Sequence, residues 1–254
     1  MNGYGSLSAY YDGLLPEVDY AAMADFLLAA FARYGKRCDQ LLDLACGSGS
    51  LTCELAKRGV DMIGVDGSAE MLTVAREKAI TFTDDPPLFL CQDMRQLDLY
   101  GTTDGAACTM DSLNHLLSTA DLREVFRRLG LFIAPGGLLI FDVNTPYKHR
   151  QILGDNTFVL ERDDLMCVWR NEFHAARCET VMQLDFFEKI GRDYRRTTDE
   201  VRERGYSLTT WKKLLSETGF DLLAVSDTDG NPPVPETERW VLIAVNRAIG
   251  QKNG

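Results

Sequence analysis

Apolar residues recur at helical spacing over residues 20–34 and predict an amphipathic helix there. Beyond it, short apolar runs and helical patterns alternate along the chain. The runs predict strands over residues 41–45, 61–66, 88–92, 105–110 and 138–143, and the helical patterns predict helices over residues 51–58, 69–79 and 121–132. We place a turn at Pro135, Gly136 and Gly137, between the last of these helices and its strand. Such alternation indicates a parallel sheet with helices on both faces.

A different pattern occupies residues 157–204, where apolar residues such as Phe158, Leu160, Met166 and Val168 recur with period two between charged residues. We interpret this segment as a small antiparallel insert. The earlier pattern then returns as a helix over residues 208–218 and strands over residues 220–226 and 240–246. The sequence therefore predicts seven strands in the main sheet, with residues 1–148 and 206–254 as the core and residues 149–205 as the insert.

Composition narrows the class of protein. The chain has 254 residues, of which 45% are hydrophobic and 26% charged, as expected of one globular domain that carries an insert. No apolar run approaches the about 20 residues that span a bilayer, and the first residues lack a secretory signal pattern, so we expect a cytoplasmic protein without a membrane partner. A formal net charge of −11 argues against broad binding of nucleic acid. The seven cysteines form no CxxC pair and the three histidines are dispersed, so we expect free thiols and no metal site.

The strongest chemical signal is LLDLACGSGS at residues 41–50, a buried strand that ends in closely spaced glycines. Gly47 and Gly49 allow a ligand to approach the backbone. A dinucleotide site would carry a third glycine where Thr52 stands, and a P-loop would end in GK followed by Ser or Thr. Asp43, four residues before Gly47, would repel a pyrophosphate and attract a cation. The loop therefore favours a cationic ligand over a phosphate.

Two more acids follow strands. Asp66 closes the second strand in IGVDGS, where doubly wound folds place an acid that accepts hydrogen bonds from ribose hydroxyls; it could instead serve only as an acid at a helix N-terminus. Asp93 follows the third strand, and its carboxylate could accept a hydrogen bond from an adenine amino group while Met94 packs on the ring. Because the carboxyl ends of parallel strands form one crevice, three acids at three such ends predict a shared site.

Together, DLACGSG, GVDGS, QDM and the PGG turn resemble the class I S-adenosylmethionine-dependent methyltransferases, over about residues 41–144 with the closing helix and strands after residue 208. The resemblance implies a Rossmann-like doubly wound α/β fold and S-adenosylmethionine as cofactor. It implies further that Asp43, Gly47 and Gly49 line the methionine end, that Asp66 holds the ribose and that Asp93 with Met94 holds the adenine. We add the neighbouring residues Ala45, Gly67, Met71 and Met110 to this cofactor set.

The opening SAYYDGLL is similar to the start of bacterial small-molecule methyltransferases, including amino-sugar N-methyltransferases. In these relatives a tyrosine near the N-terminus closes over the cofactor. Tyr10 matches as a cofactor contact and Tyr11 as a catalytic candidate, although either could simply pack on the sheet.

The segment TMDSLNHLL at residues 109–117 falls where the family has a loop that faces the substrate. It offers Asp111, Asn114 and His115. Asn114 and His115 are catalytic candidates near the transferred methyl group. His115 could act as a general base, but a structural role for it is favoured, because methyl transfer to an amine chiefly needs an aligned, deprotonated nucleophile and exclusion of water.

The insert would follow the fifth strand and overhang the crevice as a lid, where Trp169, Arg170, Glu172, Arg202 and Tyr206 are substrate-contact candidates. Its edge could instead pair in a homodimer. We predict methyl transfer by in-line displacement to nitrogen or oxygen of a small molecule. A nicotinamide-dependent oxidoreductase is disfavoured by Asp43, whereas a non-catalytic binding module and a methyltransferase for tRNA remain alternatives.

Overall fold

The computed structural model describes residues 18–83 and 85–247, so Tyr10 and Tyr11 lie outside the described residues. Five α-helices and eleven strands form the main elements of the described residues. In chain order they are α1 (Tyr20–Arg33), β1 (Gln40–Leu44), α2 (Ser50–Lys57), β2 (Asp61–Asp66), α3 (Ala69–Ala79), β3 (Leu88–Cys91), β4 (Thr103–Cys108), α4 (Thr119–Phe132), β5 (Ile133–Asn144), β6 (Thr157–Arg162), β7 (Leu165–His174), β8 (Glu179–Ile190), β9 (Asp193–Arg204), α5 (Leu208–Glu217), β10 (Phe220–Ser226) and β11 (Arg239–Asn246).

The main sheet has seven strands in the order β10-β11-β5-β4-β1-β2-β3. Every neighbouring pair among β1 to β5 is parallel, whereas β11 runs antiparallel to both β5 and β10. The strand order reverses between β1 and β4, and this reversal opens a crevice at the carboxyl ends of the strands. The predicted doubly wound, mostly parallel sheet is therefore confirmed.

Both faces of the main sheet are covered by helices. Alternation along β1 sends Leu41 to one face, where it packs with Phe31 of α1, and Leu42 to the other, where it joins Phe126 of α4 and Trp211 of α5. Trp211 is fully buried and its ring centroid lies 6.3 Å from that of Phe126. Continuous apolar strands of this kind are required when a parallel sheet has no solvent-facing side.

Side-chain caps fix the starts of four helices. Asp19, Ser68, Ser118 and Ser207 each accept a hydrogen bond from a backbone N–H in the first turn of α1, α3, α4 and α5. By contrast, α2 begins at Gly49, which has a φ of 71° and caps no N–H with a side chain. This helix therefore starts directly from the glycine turn.

The predicted turn at Pro135, Gly136 and Gly137 was wrong in one respect, because it does not separate α4 from its strand. Ile133, directly after the helix, already pairs with Thr103 of β4. The register shifts before the next pair, Gly105 with Leu138, and Gly136 has a φ of 81°. The segment is therefore a bulge inside β5, which a glycine with positive φ makes accessible.

Gly105 of β4 is expected to tolerate no side chain. A Cβ there would lie 2.5 Å from the backbone oxygen of Leu138 and would also overlap the ring of Phe31. We expect Gly105→Ala to lower the free energy of unfolding by about 1–3 kcal/mol, because the core cannot yield without moving a paired strand. Urea unfolding measures the change, and Gly101→Ala, which meets nothing within 4 Å, is the control. Equal stability of the two variants would contradict this packing.

The second sheet is antiparallel and has the strand order β6-β7-β8-β9. It is inserted between β5 and α5, in the segment where the sequence predicts it. Its apolar residues form a core of their own, which includes Met182, Leu184 and Phe186 of β8. The assignment of this segment as a separate unit at residues 149–205 stays a prediction. Among the described helices, none combines the length and apolar character of a membrane span.

Candidate active site

A cavity of about 720 Å³ lies between the carboxyl ends of β1, β2, β4 and β5 and the inner face of the second sheet. This volume falls within the range of small-molecule and cofactor sites. Of the predicted site residues, those that line the cavity are Asp43, Ala45, Gly47, Asp66, Gly67, Met71, Met94, Met110 and His115. The topology thus brings together residues from both halves of the main sheet.

The backbone at the cavity is unusual at two strand ends. Ala45 after β1 has a φ of 61°, and Met110 and Asp111 after β4 have φ values of 57° and 53°. Left-handed conformations of residues other than glycine cost free energy and cluster at functional sites. Gly47 itself has a φ of 54° and meets nothing within 4 Å at its Cβ position, so its backbone is open to a ligand. Gly49 packs instead on α3, where a Cβ would lie 2.8 Å from that of Ala75.

Asp66 ties the glycine turn to the second strand. Its Oδ2 accepts the backbone N–H of Gly47 at 2.9 Å, and its Oδ1 accepts that of Ser68 at 2.8 Å. Burial raises the pKa of Asp66, although these backbone donors partly offset the effect. Each oxygen keeps a second lone pair, so the carboxylate can accept further hydrogen bonds from a ligand in the cavity.

Asp43 lies deeper, and its side chain is almost completely buried. Its Oδ2 accepts a hydrogen bond of 2.5 Å from the hydroxyl of Thr52, the residue that stands in place of a third glycine. Burial raises the pKa of Asp43 to about 7, and the nearby charge of Asp66 adds to the shift. A cation bound in the cavity would stabilise the ionised form of this carboxyl.

Asp93 is held away from the cavity by an ion pair. Arg95 reaches its carboxylate at 2.5 Å and holds the pKa of Asp93 below its usual range. Met94 lines the cavity and Asp93 does not. The hydrogen bond from adenine to Asp93 therefore stays a prediction. It requires the carboxylate of Asp93 to accept from adenine and from Arg95 at the same time.

A buried ionic cluster forms the floor near the carboxyl ends of β4 and β5. Arg239 of β11 contacts the carboxylates of Asp142 and Asp111, the latter at 3.2 Å. Asp142 also accepts the backbone N–H groups of Met110 at 2.8 Å and Asp111 at 2.9 Å. These bonds hold the two left-handed residues after β4. Burial opposes ionisation of Arg239, but the two carboxylates outweigh it and raise the pKa of the guanidinium.

The cluster continues into the second sheet through Asn144, the last residue of β5. Its Nδ2 contacts Asp111 and donates to Oε2 of Glu203 in β9 at 2.9 Å, while its Oδ1 accepts from Lys148 at 3.0 Å. Glu203 and Lys148 both line the cavity. Burial raises the pKa of Glu203 to about 8 and lowers that of Lys148.

Asn114 and His115 differ in their placement. Asn114 is fully buried, and its Nδ2 donates to the backbone oxygens of Asn144 at 3.0 Å and Arg204 at 2.9 Å. It lies beneath the cavity and joins the main sheet to the end of β9, so its geometry is that of a positioning residue. His115 lines the cavity, and burial lowers the pKa of its imidazole.

The second sheet supplies an apolar wall to the cavity. Trp169, alone among the five predicted substrate contacts of this region, lines it. Tyr206 is buried and donates its hydroxyl to the backbone oxygen of Leu116 at 2.5 Å. Of the remaining three side chains, Arg170 and Arg202 lie in ion pairs with Asp185 and Glu200, and Oε1 of Glu172 lies 3.5 Å from Nε2 of His174.

Comparison with known proteins identifies the family. Residues 41–137 match the methyltransferase domain family. GWCH70_2453, a candidate methyltransferase of Geobacillus sp. (strain WCH70), is 31% identical over 95% of this chain and 98% of its own length. The chain belongs to the methyltransferases.

Solved structures add the cofactor. The crystal structure of an S-adenosylmethionine-dependent methyltransferase from Clostridium acetobutylicum ATCC 824 has 30% identity and a TM-score of 0.87, over 96% of this chain and 99% of that one. CalS10 of Micromonospora echinaspora, an amino pentose methyltransferase with S-adenosylmethionine bound, shares the fold at 20% identity and a TM-score of 0.75, over 94% of this chain and 96% of its own. This methyltransferase therefore uses S-adenosylmethionine.

The residues present in the methyltransferase fit that cofactor. The open backbone at Gly47 and the spare lone pairs of Asp66 suit a ligand that carries hydroxyl groups, and the acidic strand ends suit its net positive charge. Pocket-lining Met71 and Met94 supply apolar surface for a ring.

Lys148, Glu203 and Arg239 are among the residues of this site that sequence reasoning missed. All three lie in the segments that follow β5, and each is one charged residue among many in its neighbourhood. A burial signal existed for Glu203 alone, since Val201 two positions earlier is the only apolar residue between positions 195 and 205 and marks the inner face of β9.

Proposed function

We propose that the protein transfers the methyl group of S-adenosylmethionine to a nitrogen or oxygen atom of a small molecule by in-line displacement. The observation that carries this proposal is the shared cavity, in which acidic strand ends of the main sheet face an apolar wall from the second sheet. A ligand of cofactor size and a small acceptor would meet there. The name of CalS10 as an amino pentose methyltransferase supports an acceptor of this size.

Within this proposal, the cofactor lies along the carboxyl ends of β1 and β2. Asp66 holds the ribose, and Asp43, one of whose oxygens accepts the hydroxyl of Thr52, favours the positive charge of the amino acid end. The remaining predicted contacts that line the same side of the cavity are Ala45, Gly47, Gly67, Met71, Met94 and Met110. The cofactor supplies an electrophilic methyl group on a sulfonium.

The protein's own contribution is then position and the exclusion of water. The second sheet acts as the lid over the acceptor, because Met182, Leu184 and Phe186 of β8 face the cavity. Asn114 fixes the end of this lid to the main sheet through its bond to the backbone of Arg204. His115 lies at the boundary between the two, where it can contact the acceptor.

Calorimetry tests the cofactor part of this proposal. We expect saturable binding of S-adenosylmethionine and S-adenosylhomocysteine and no binding of NAD, because acidic side chains at the glycine turn repel a pyrophosphate. A screen of small amines, sugars and phenols for formation of S-adenosylhomocysteine then tests the transfer. Binding of NAD alone, or methylation of tRNA in place of every small acceptor, would contradict the proposal.

A further inference from the structure

Among the described residues, Glu203 is the carboxyl group that the second sheet presents to the cavity. It lies next to the last residue of β9, with 4% of its surface exposed, and lines the cavity beside the apolar wall. Asn144 fixes its Oε2 with a hydrogen bond of 2.9 Å. The group therefore has a fixed position at the boundary between the cofactor side and the lid.

Two imidazoles flank this carboxyl. Nε2 of His115 lies 4.0 Å from Oε1, and Nε2 of His149 lies 3.8 Å from Oε2. The Nε2 of His149 is buried and has no hydrogen-bond partner among the residues that the structure describes. Its Nδ1 lies 2.9 Å from the hydroxyl of Thr180. Burial lowers the pKa of His149 to about 4, so both neighbours of the carboxyl are neutral near pH 7.

The cations of the cluster donate their described hydrogen bonds to other groups, although the charges of Arg239 and Lys148 partly lower the pKa of Glu203. Arg239 contacts Asp111 and Asp142, and Lys148 donates to Oδ1 of Asn144. Burial, followed by the charge of Asp111, raises the pKa of Glu203 to about 8. The pKa of Glu203 therefore lies close to neutral pH, well above the about 4.3 of an exposed glutamate.

Burial shifts the pKa of an ammonium group in the direction opposite to that of a carboxyl group. It raises the pKa of a carboxyl and lowers that of an amine, because both charged forms lose solvation. A buried ammonium beside Glu203 would therefore pass its proton to the carboxylate and leave a neutral amine beside a neutral acid. An aliphatic hydroxyl is too weak an acid to be deprotonated by such a group.

We propose, on the basis of the methyl transfer proposed above, that Glu203 accepts the proton of a primary or secondary ammonium group on an acceptor with an apolar body. The nitrogen lone pair forms the new N–C bond, the S–C bond of the cofactor breaks, and its electron pair stays on sulfur as S-adenosylhomocysteine. The product is a methylated ammonium, and the proton on Glu203 returns to water. Cys167, Trp169 and Val201 of the wall pack on the apolar body.

The pH dependence of this step follows from the groups around Glu203. Those groups are Asp111 and His115 after β4, Asp142 of β5, Lys148 and His149 after β5, and Arg239 of β11. Near neutral pH burial keeps the two histidines neutral and the charge of Arg239 keeps Asp111 ionised, whereas Glu203, with a pKa of about 8, changes charge between about pH 7 and 9. Amine binding should strengthen as the pH rises through about 8.

Benzylamine and benzyl alcohol serve as matched probes, titrated by calorimetry at pH 8.5 into protein saturated with S-adenosylhomocysteine. We expect benzylamine to bind and Glu203→Gln to weaken its affinity by about tenfold or more, since glutamine cannot accept the proton of the ammonium group. Affinity for benzyl alcohol should not change. The control is Glu200→Gln, which removes an exposed carboxylate from the outer face of the same strand, 48% of its side chain being exposed.

Folding of the variant is checked by its melting temperature. Glu203→Gln should be at least as stable as the wild type at pH 8.5, because Glu203 is mostly ionised above its raised pKa of about 8, and burial of that charge disfavours the folded state, whereas glutamine stays neutral. Absence of benzylamine binding to the loaded wild type, or equal benzylamine affinity in Glu203→Gln, would overturn the assignment of Glu203. Failure of S-adenosylhomocysteine to bind the wild type would overturn the proposed methyl transfer itself, and the inference with it.

Discussion

Replacement of Arg239 by methionine is expected to lower the free energy of unfolding by about 3–5 kcal/mol, because the carboxylates of Asp111 and Asp142 would remain in the interior without their cation. Both pairs are mostly buried, with 19% of the Arg239 side chain exposed. Methionine keeps much of the apolar stem, so packing losses stay small. Urea unfolding at pH 7 measures the change.

The pH dependence separates this electrostatic cause from a packing defect. In the wild type, burial raises the pKa of Asp111, but the charge of Arg239 and its neighbours outweighs burial and lowers it. Asp111 therefore adds stability above its unfolded pKa of about 3.9, and this contribution is lost as the pH falls below it. Without Arg239 the same carboxyl opposes folding at neutral pH. The stability gap between Arg239→Met and wild type should thus narrow on acidification, and a constant gap would contradict the ionic origin.

Arg123→Met provides the matched control for this substitution. Arg123 pairs with Glu217 at 3.0 Å, but 46% of its side chain is exposed. A surface pair of this kind contributes about 0–1 kcal/mol, because water screens the charges and the side chains lose entropy. A large effect at Arg123, or a small one at Arg239, would show that burial does not decide the contribution of these ion pairs.

The main sheet could be predicted because its signals are local. A parallel strand buried on both faces reads as an apolar run, and two of the runs here are followed by a helix with its own side-chain cap, as Ser68 and Ser118 show. The bulge in β5 could not be predicted in the same way. Pro135 to Gly137 has the composition of a turn, and only the pairing of Ile133 with Thr103 places it inside a strand.

The acidic residues proposed for the cofactor could be predicted from the strand order alone, without knowledge of side-chain geometry. Asp43 and Asp66 close neighbouring parallel strands, so their proximity follows from the strand order and needs no knowledge of side chains. Even so, the sequence does not show that Thr52 holds Asp43, or that Arg95 holds Asp93. Such local partners compete with a ligand and depend on rotamers that packing selects.

The residues on the proposed acceptor side of the cavity could not be predicted in this way, because their burial depends on contacts between segments far apart in the sequence. Glu203 and Glu200 both lie on β9 among charged neighbours, yet Glu203 is buried and Glu200 is exposed. What distinguishes them is the inner face of the second sheet, which becomes buried only when it packs over β4 and β5. Arg239 likewise acquires its partners through the pairing of β11 with β5. When packing between distant segments buries a charged residue, the local sequence gives little indication of that burial.

Asp66→Ala is expected to weaken the binding of S-adenosylhomocysteine by about 10- to 100-fold, because the proposed ribose contacts to a carboxylate contribute about 1.5–3 kcal/mol and the glycine turn also loses its anchor at Gly47. Calorimetry measures the affinity. Asp61→Ala is the control, since it removes an exposed carboxylate from the opposite end of the same strand. Its affinity should stay within about twofold of the wild type, a difference below about 0.5 kcal/mol.

The conservative variant Asp66→Asn separates the two causes of that loss. Asparagine can accept the N–H of either Gly47 or Ser68, but its Nδ2 is a donor and cannot replace the second acceptor. If the ribose contact dominates, both variants should lose affinity for S-adenosylhomocysteine while their melting temperatures remain close. If the anchor of the turn dominates, the alanine variant should lose both affinity and stability and the asparagine variant much less of each. Unchanged affinity in both would remove Asp66 from the cofactor site.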